Sequence, residues 1–251
     1  MDYSFEGKAV AVTGAGSGMG RATAEQFAEH GAGVTAVDID PEAARETVDR
    51  IESSNSPGEA IAVTADVADA TAVERFVDRT VEAFGRLDVL HNNAGVPMRS
   101  TPVHEVSEET WDRVLDINLK SAFLGAKYAV PRIEEGGVIL NTASTAGIRP
   151  RTGLSAYCAS KGGMITLTKQ LAYELADDGI RVNAICPVAT DTEMLPQFTA
   201  TELSVDDMLE TIPLGRLAEP TDIAEAAVFL ASDAASMITG TALEVDGGRD
   251  I

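Results

Sequence analysis

A chain of 251 residues, 45% hydrophobic and only 5% aromatic, is long enough to bury one aliphatic core without disulfides or metal. Its formal charge of −21 argues against a nucleic-acid partner and against docking on an anionic membrane. No apolar run approaches the roughly 20 residues that span a bilayer. The opening MDYSFEGKAVAVTGAG has no basic region ahead of its apolar run, so a cytoplasmic protein is expected.

Short apolar runs alternate with amphipathic stretches along the whole chain. KAVAVTGA (8–15) reads as a buried strand, and MGRATAEQFAEHG (19–31) as a helix with Ala22, Phe27 and Ala28 inward and Gly31 past its end. GVTAVDID (33–40) is a strand and PEAARETVDRIESS (41–54) a helix with Pro41 at its start. EAIAVTADV (59–67), LDVLHNNAG (87–95), GGVILNTAS (136–144), IRVNAICPV (180–188) and ALEVDGG (242–248) are the remaining strands. Between them lie the helices ATAVERFVDRTVEAFG (70–85), one long helix over 107–133 entered at Ser107/Thr110, SAYCASKGGMITLTKQLAYELADDG (155–179) and EPTDIAEAAVFLASD (219–233). Strands that alternate with helices imply βαβ units. Right-handed crossovers then place helices on both faces of one parallel sheet. The fold expected is α/β and doubly wound, a single domain of residues 1–251 with seven strands.

The glycines of TGAGSGMG, at 14, 16, 18 and 20, fall between the first strand and the first helix. Glycine there lets the turn close and the backbone approach a pyrophosphate, while the helix start offers free N–H groups. Gly14, Ser17, Gly18, Met19 and Gly20 are therefore cofactor candidates. Asp38 ends the second strand, where a carboxylate grips the adenosine ribose and repels a 2′-phosphate. Asp40 adds to that repulsion, and neither GAGSGM nor VDID holds a Lys or Arg, so NAD is favoured over NADP. The plainer role for Asp38 is to cap the following helix. Ile39 adjoins Asp38, and Asp66 and Val67 at the third strand's end are placed for adenine. Asn93, Ala94 and Gly95 follow the fourth strand beside the crevice.

These motifs, with Asn118 in DINLK, Ser144 in NTAS and Tyr157/Lys161 in YCASK, stand in the order and at the distances of one family. The chain resembles the short-chain dehydrogenase/reductase family, a Rossmann fold, over essentially its whole length. The resemblance implies a catalytic set of Asn118, Ser144, Tyr157 and Lys161. Tyr157 is the general acid/base, Ser144 binds the substrate oxygen, and Lys161 holds the nicotinamide ribose and lowers the Tyr157 pKa. Asn118 holds a water that links Lys161 to solvent. A tyrosine must fall up to about 3 pKa units from 10 to act near neutrality, and an ammonium about 5 Å away supplies about 3 kcal/mol. Small residues around the pair are expected to leave room for cofactor and substrate. After the sixth strand the family pattern reads Pro-Gly, whereas here Val188 follows Pro187. Pro187, Thr190 and Thr192 are the matching nicotinamide contacts, with either a loop that needs no glycine or a shifted one. The resemblance also implies a tetramer or dimer, and hydride transfer on the pro-S face.

Glu193–Ile212 is the expected lid, with Met194, Leu195, Phe198 and Met208 as its apolar side. Arg99, Arg149 and Arg151 lie in loops flanking the site, on the surface or binding a substrate carboxylate or phosphate. Cys158 and Cys186 have no metal or redox spacing, and His30, His91 and His104 are scattered, so no metal site is read. Five lysines and 40 acidic residues suit a protein that works in high salt. Three activities remain: an NAD-dependent dehydrogenase of a secondary alcohol (sugar, polyol, steroid or hydroxy acid), a 3-oxoacyl-thioester reductase, and a non-catalytic NAD-binding sensor.

Overall fold

A computed structural model describes residues 3–198 and 205–251. Seven parallel strands form one sheet in the order β3-β2-β1-β4-β5-β6-β7. They are β1 (Ala9–Thr13), β2 (Gly33–Asp38), β3 (Glu59–Thr64), β4 (Leu87–Asn92), β5 (Ile133–Thr142), β6 (Arg181–Pro187) and β7 (Ala242–Val245). The helices are α1 (Gly18–Glu29), α2 (Pro41–Ser53), α3 (Ala70–Phe84), α4 (Glu108–Leu115), α5 (Ser121–Ala129), α6 (Ser155–Glu174), α7 (Leu195–Phe198), α8 (Val205–Glu210) and α9 (Pro220–Ala231). No helix among the described residues is long and apolar enough to cross a membrane.

Alternation along β1 explains why both faces need cover. Val10 and Val12 pack with Phe27 of α1 and Ile223 and Val228 of α9 on one side. Ala11 between them joins Phe76 of α3, Leu124 of α5 and Ala172 of α6 on the other. All five residues of β1 are buried, which is why the central strand reads as an unbroken apolar run. Strand order reverses between β1 and β4, and the crevice of such a sheet opens there, at the carboxyl ends.

Caps set the helix starts. Asp40 accepts hydrogen bonds from the N–H groups of Glu42 and Ala43, with Pro41 at the first helical position of α2. Ser107 does the same for Thr110 at the start of α4. The long helix expected over 107–133 is instead broken. A π-turn, Asp116–Lys120, separates α4 from α5, and Asn118 lies buried inside it. The lid expectation falls partly outside the described residues: 199–204 have no described structure, and Phe198 no described side chain.

Candidate active site

The turn after β1 is shaped by contacts that leave no space for side chains. Gly14 has φ +65°, and a Cβ there would stand 2.9 Å from the Ala94 Cα. A Cβ at Gly16 would come within 2.7 Å of an Asp38 carboxylate oxygen, and one at Gly20 would strike the Gly14 carbonyl. Thr13 ties this turn to the next: its hydroxyl accepts the Asn93 and Ala94 N–H groups, at 3.0 and 3.1 Å. The Asn93 amide donates to the Thr13 carbonyl at 3.0 Å. Ser17 caps α1 without a side-chain hydrogen bond and no acidic residue sits in its first turn, so the helix start presents N–H groups to an anion.

Asp38 stands at the rim of this turn. Its Oδ2 accepts the Gly16 N–H at 2.8 Å and its Oδ1 the Asp40 N–H at 3.0 Å. Each oxygen keeps a lone pair for a further donor such as a ribose hydroxyl. Capping of α2 falls to Asp40, which removes the plainer role weighed for Asp38. Ile39 is 67% exposed, Val67 is buried, and Asp66 folds back on the Ala68 N–H at 2.9 Å. Arg21, beyond both GAGSGM and VDID, donates to the Gly16 carbonyl. It is also held by Glu46 at 3.0 Å and Thr47 at 3.1 Å. The turn, the bare helix start and Asp38 together fit a dinucleotide.

At the other end of the crevice lies a cavity of about 680 Å³. Ser144, Tyr157, Pro187, Thr190, Thr192 and Met19 all reach it, so α1, α6 and the segments at the carboxyl ends of β5 and β6 converge there. A Cβ at Gly18 would touch the Thr192 methyl at 3.2 Å, which closes the crevice between its two halves. Met194, Leu195 and Met208 supply the apolar wall anticipated for the lid. Val188 also lines the cavity, and its φ is not positive. This turn therefore needs no glycine, and the valine narrows the space instead.

Tyr157 and Ser144 share a hydrogen bond. The Ser144 hydroxyl also accepts the Ala146 N–H at 3.1 Å, so the short turn at 145–147 aims it. Lys161 is buried; its Nζ sits 5.9 Å from the Tyr157 ring centroid and donates to the Thr142 carbonyl at 2.6 Å. Burial pushes the Lys161 ammonium down to about 8. Burial also pushes the Tyr157 phenol up to about 12, with Ser144 opposing the rise. The protein's own groups thus hold the phenol above its ordinary value. Loss of water around the phenol is the largest cause, and the Ser144 hydrogen bond is what opposes it.

Asn118 holds the loop after β4. Its Oδ1 accepts the Val96 N–H at 2.7 Å, and its amide donates to the Val96 carbonyl at 2.9 Å. The side chain is thus engaged in positioning that loop. The small residues around Tyr157 and Lys161 also serve differently from expectation: Ala156 and Ser160 are fully buried, and a Cβ at Gly163 would press on Leu119 of the π-turn at 2.8 Å. They let α6 pack closely rather than leave room for ligands.

Three features escaped the sequence reading. One is the Thr13 bracket. Another is the buried chain His91–Thr142–Asn93, with contacts of 2.9 and 3.2 Å. The third is Arg249, which reaches the cavity from the segment after β7. Arg99 is exposed, whereas Arg149 and Arg151 both approach Asp250, at 3.7 and 3.6 Å.

A family model described as enoyl-(acyl carrier protein) reductase matches residues 14–250. Meso-2,3-butanediol dehydrogenase of Serratia marcescens is 40% identical over 245 residues, covering 97% of this chain and 95% of that one. A 3-ketoacyl-(acyl-carrier-protein) reductase from Brucella melitensis, solved with NADH, is 41% identical with a TM-score of 0.91 over 99% of this chain and 100% of that one. A short-chain dehydrogenase from Burkholderia cenocepacia, solved with NADP, is 34% identical with a TM-score of 0.91, covering 98% and 99%. The fold and the crevice define a dinucleotide-binding oxidoreductase. The chain belongs to the short-chain dehydrogenase/reductase family.

Proposed function

We propose that this chain is an NAD-dependent oxidoreductase that interconverts a secondary alcohol and its ketone. The observation that carries this reading is the Tyr157–Ser144 hydrogen bond at the wall of a cavity backed by buried Lys161. When bound, the nicotinamide dinucleotide supplies the hydride acceptor or donor. In oxidation Tyr157, as the phenolate, takes the carbinol proton at its oxygen; in reduction the phenol gives that proton to the substrate oxygen. Ser144 donates a hydrogen bond to the substrate oxygen and favours charge developing there. Lys161 holds positive charge behind the phenol and is placed for the nicotinamide ribose hydroxyls. Asn118 positions the 93–96 turn, and its backbone carbonyl is the place for a water leading to Lys161.

Asp38 with two lone pairs to spare, and Arg21 committed to Glu46, support NAD over NADP. The substrate classes that fit are polyols, sugars, hydroxysteroids and hydroxy acids. Exposed Phe123 on α5, Tyr173 on α6 and the edge strand β7 suit a homo-oligomer, a tetramer or dimer. Formation of NADH read at 340 nm against these classes, with NADP in parallel, tests the reading. Faster turnover with NADP would overturn the role given to Asp38.

Reduction of 3-oxoacyl thioesters is the second reading, favoured by the Brucella melitensis structure with its NADH. That pairing means NAD preference alone does not exclude it. A strongly acidic surface opposes docking of an equally acidic carrier protein. Hydroxyacyl thioesters therefore belong in the same panel.

A further inference from the structure

The chain carries 40 acidic and 19 basic residues. Its cavity reverses that balance. Among the described residues, the only charged side chains on its wall are Arg151 and Arg249.

Both arginines are built into place. Asp246 is buried and accepts the N–H groups of Gly248 and Asp250, at 2.9 and 2.8 Å. Gly247 and Gly248 take φ of +62° and +86°, so the segment turns back and delivers Arg249 to the cavity. Asp250 follows it, with its side chain 3% exposed and 3.6 Å from Arg151. Arg151 also donates to the Thr145 hydroxyl at 3.4 Å, one residue beyond Ser144. Arg151 thus has a carboxylate nearby. Arg249 makes no ion pair and no side-chain hydrogen bond among the described residues. It is half-buried, and burial followed by the charge of Arg151 pushes its pKa down, against the smaller opposing effects of Asp250 and Asp246. A guanidinium with five donors, low solvation and a like charge beside it is a site for an oxyanion.

We infer that Arg249, supported by Arg151, recognises a carboxylate on the substrate, so that the alcohol or ketone handled at Tyr157 is a hydroxy or oxo acid. This rests on the oxidoreductase reading above and narrows its substrate class.

The test compares acids with their uncharged amides at fixed ionic strength: 3-hydroxybutyrate with 3-hydroxybutanamide, and 3-hydroxyhexanoate with 3-hydroxyhexanamide. The expected result is a kcat/KM at least about tenfold higher for the better acid than for its amide, carried by KM, in keeping with charge-assisted hydrogen bonds. Arg249→Gln should bring that ratio close to one, and Arg249→Lys should keep part of it. A wild-type ratio near one, turnover of amides and neutral alcohols alone, or an equal loss on acid and amide in Arg249→Gln would overturn the inference. A thermal-shift titration with the same four compounds separates this from failure of the oxidoreductase reading. Stabilisation by the acids only, lost in Arg249→Gln, supports the anion site even without turnover. Equal shifts for acid and amide count against it.

Discussion

The Lys161 ammonium lies 5.9 Å from the Tyr157 ring centroid, yet burial pushes the phenol up to about 12. Loss of solvent disfavours the charged form of both residues, Lys161 coming down to about 8. Activation of the phenol therefore depends on positive charge brought into the site as well as on the lysine.

Replacing Tyr157 with Phe should lower kcat by about 10² to 10⁴-fold, the range of a lost general acid/base. Dinucleotide binding, followed by quenching of protein fluorescence, should persist. Turnover within tenfold of wild type would remove Tyr157 from its role.

Alcohol oxidation should accelerate as pH rises from 7 to 10, because the accepting phenol must be free of its proton. Ketone reduction should slow over the same range. Lys161→Ala should move the oxidative rise alkaline by about one unit or more, since the nearest ammonium is gone. An unchanged profile in that variant would leave Lys161 only a structural role.

Asp38→Ser should narrow the kcat/KM ratio of NAD to NADP by about tenfold or more, because the carboxylate that opposes a 2′-phosphate is removed. Arg21→Ala should not restore it, as Arg21 is occupied by Glu46 and the Gly16 carbonyl. A wild-type preference for NADP would refute the argument at once.

Fully buried His91 is pushed down to about 3 by burial alone. Between pH 6.5 and about 3 the unfolded chain binds a proton that the folded chain refuses. Stability is then complete above pH 6.5 and falls, by a few kcal/mol, as the pH drops toward 3. Urea midpoints measured from pH 4 to 8 should fall less steeply in His91→Gln. Parallel curves would place the acid sensitivity elsewhere.

A net charge of −21 should make the protein salt-requiring. Melting temperature should climb between about 0.05 and 2 M KCl as the screening length contracts to a few ångströms. Full stability in the low-salt buffer would count against the high-salt reading.

The sheet and its helices were legible because the central strands are built on short, mostly apolar runs, and such runs between amphipathic stretches have few other readings. The glycine turn, Asp38, Ser144, Tyr157 and Lys161 were legible from spacing. The π-turn was not. The periodicity of WDRVLDINLKSAFL stays helical, and a widened hydrogen-bond ring leaves no mark on composition. Nor was the rise of the Tyr157 pKa, since burial depends on neighbours distant in sequence. Val188 posed a question that only its φ answers. Arg249 lies 88 positions beyond Lys161, past the whole β6–β7 crossover, a separation that sequence spacing does not convert into proximity.

The π-turn at Asp116–Lys120 holds one residue more than an α-turn, so its surplus length is local. Deleting one residue there would let α4 and α5 merge into a regular helix with α5 still in phase, and Leu124 would stay in the core beneath the sheet. The loss would fall on the turn itself, on the hold of Asn118 on the Val96 backbone and the contact of Leu119 with Gly163. A single-codon deletion that would throw an ordinary helix out of register is absorbed here, and what it removes is the side chains the turn presents.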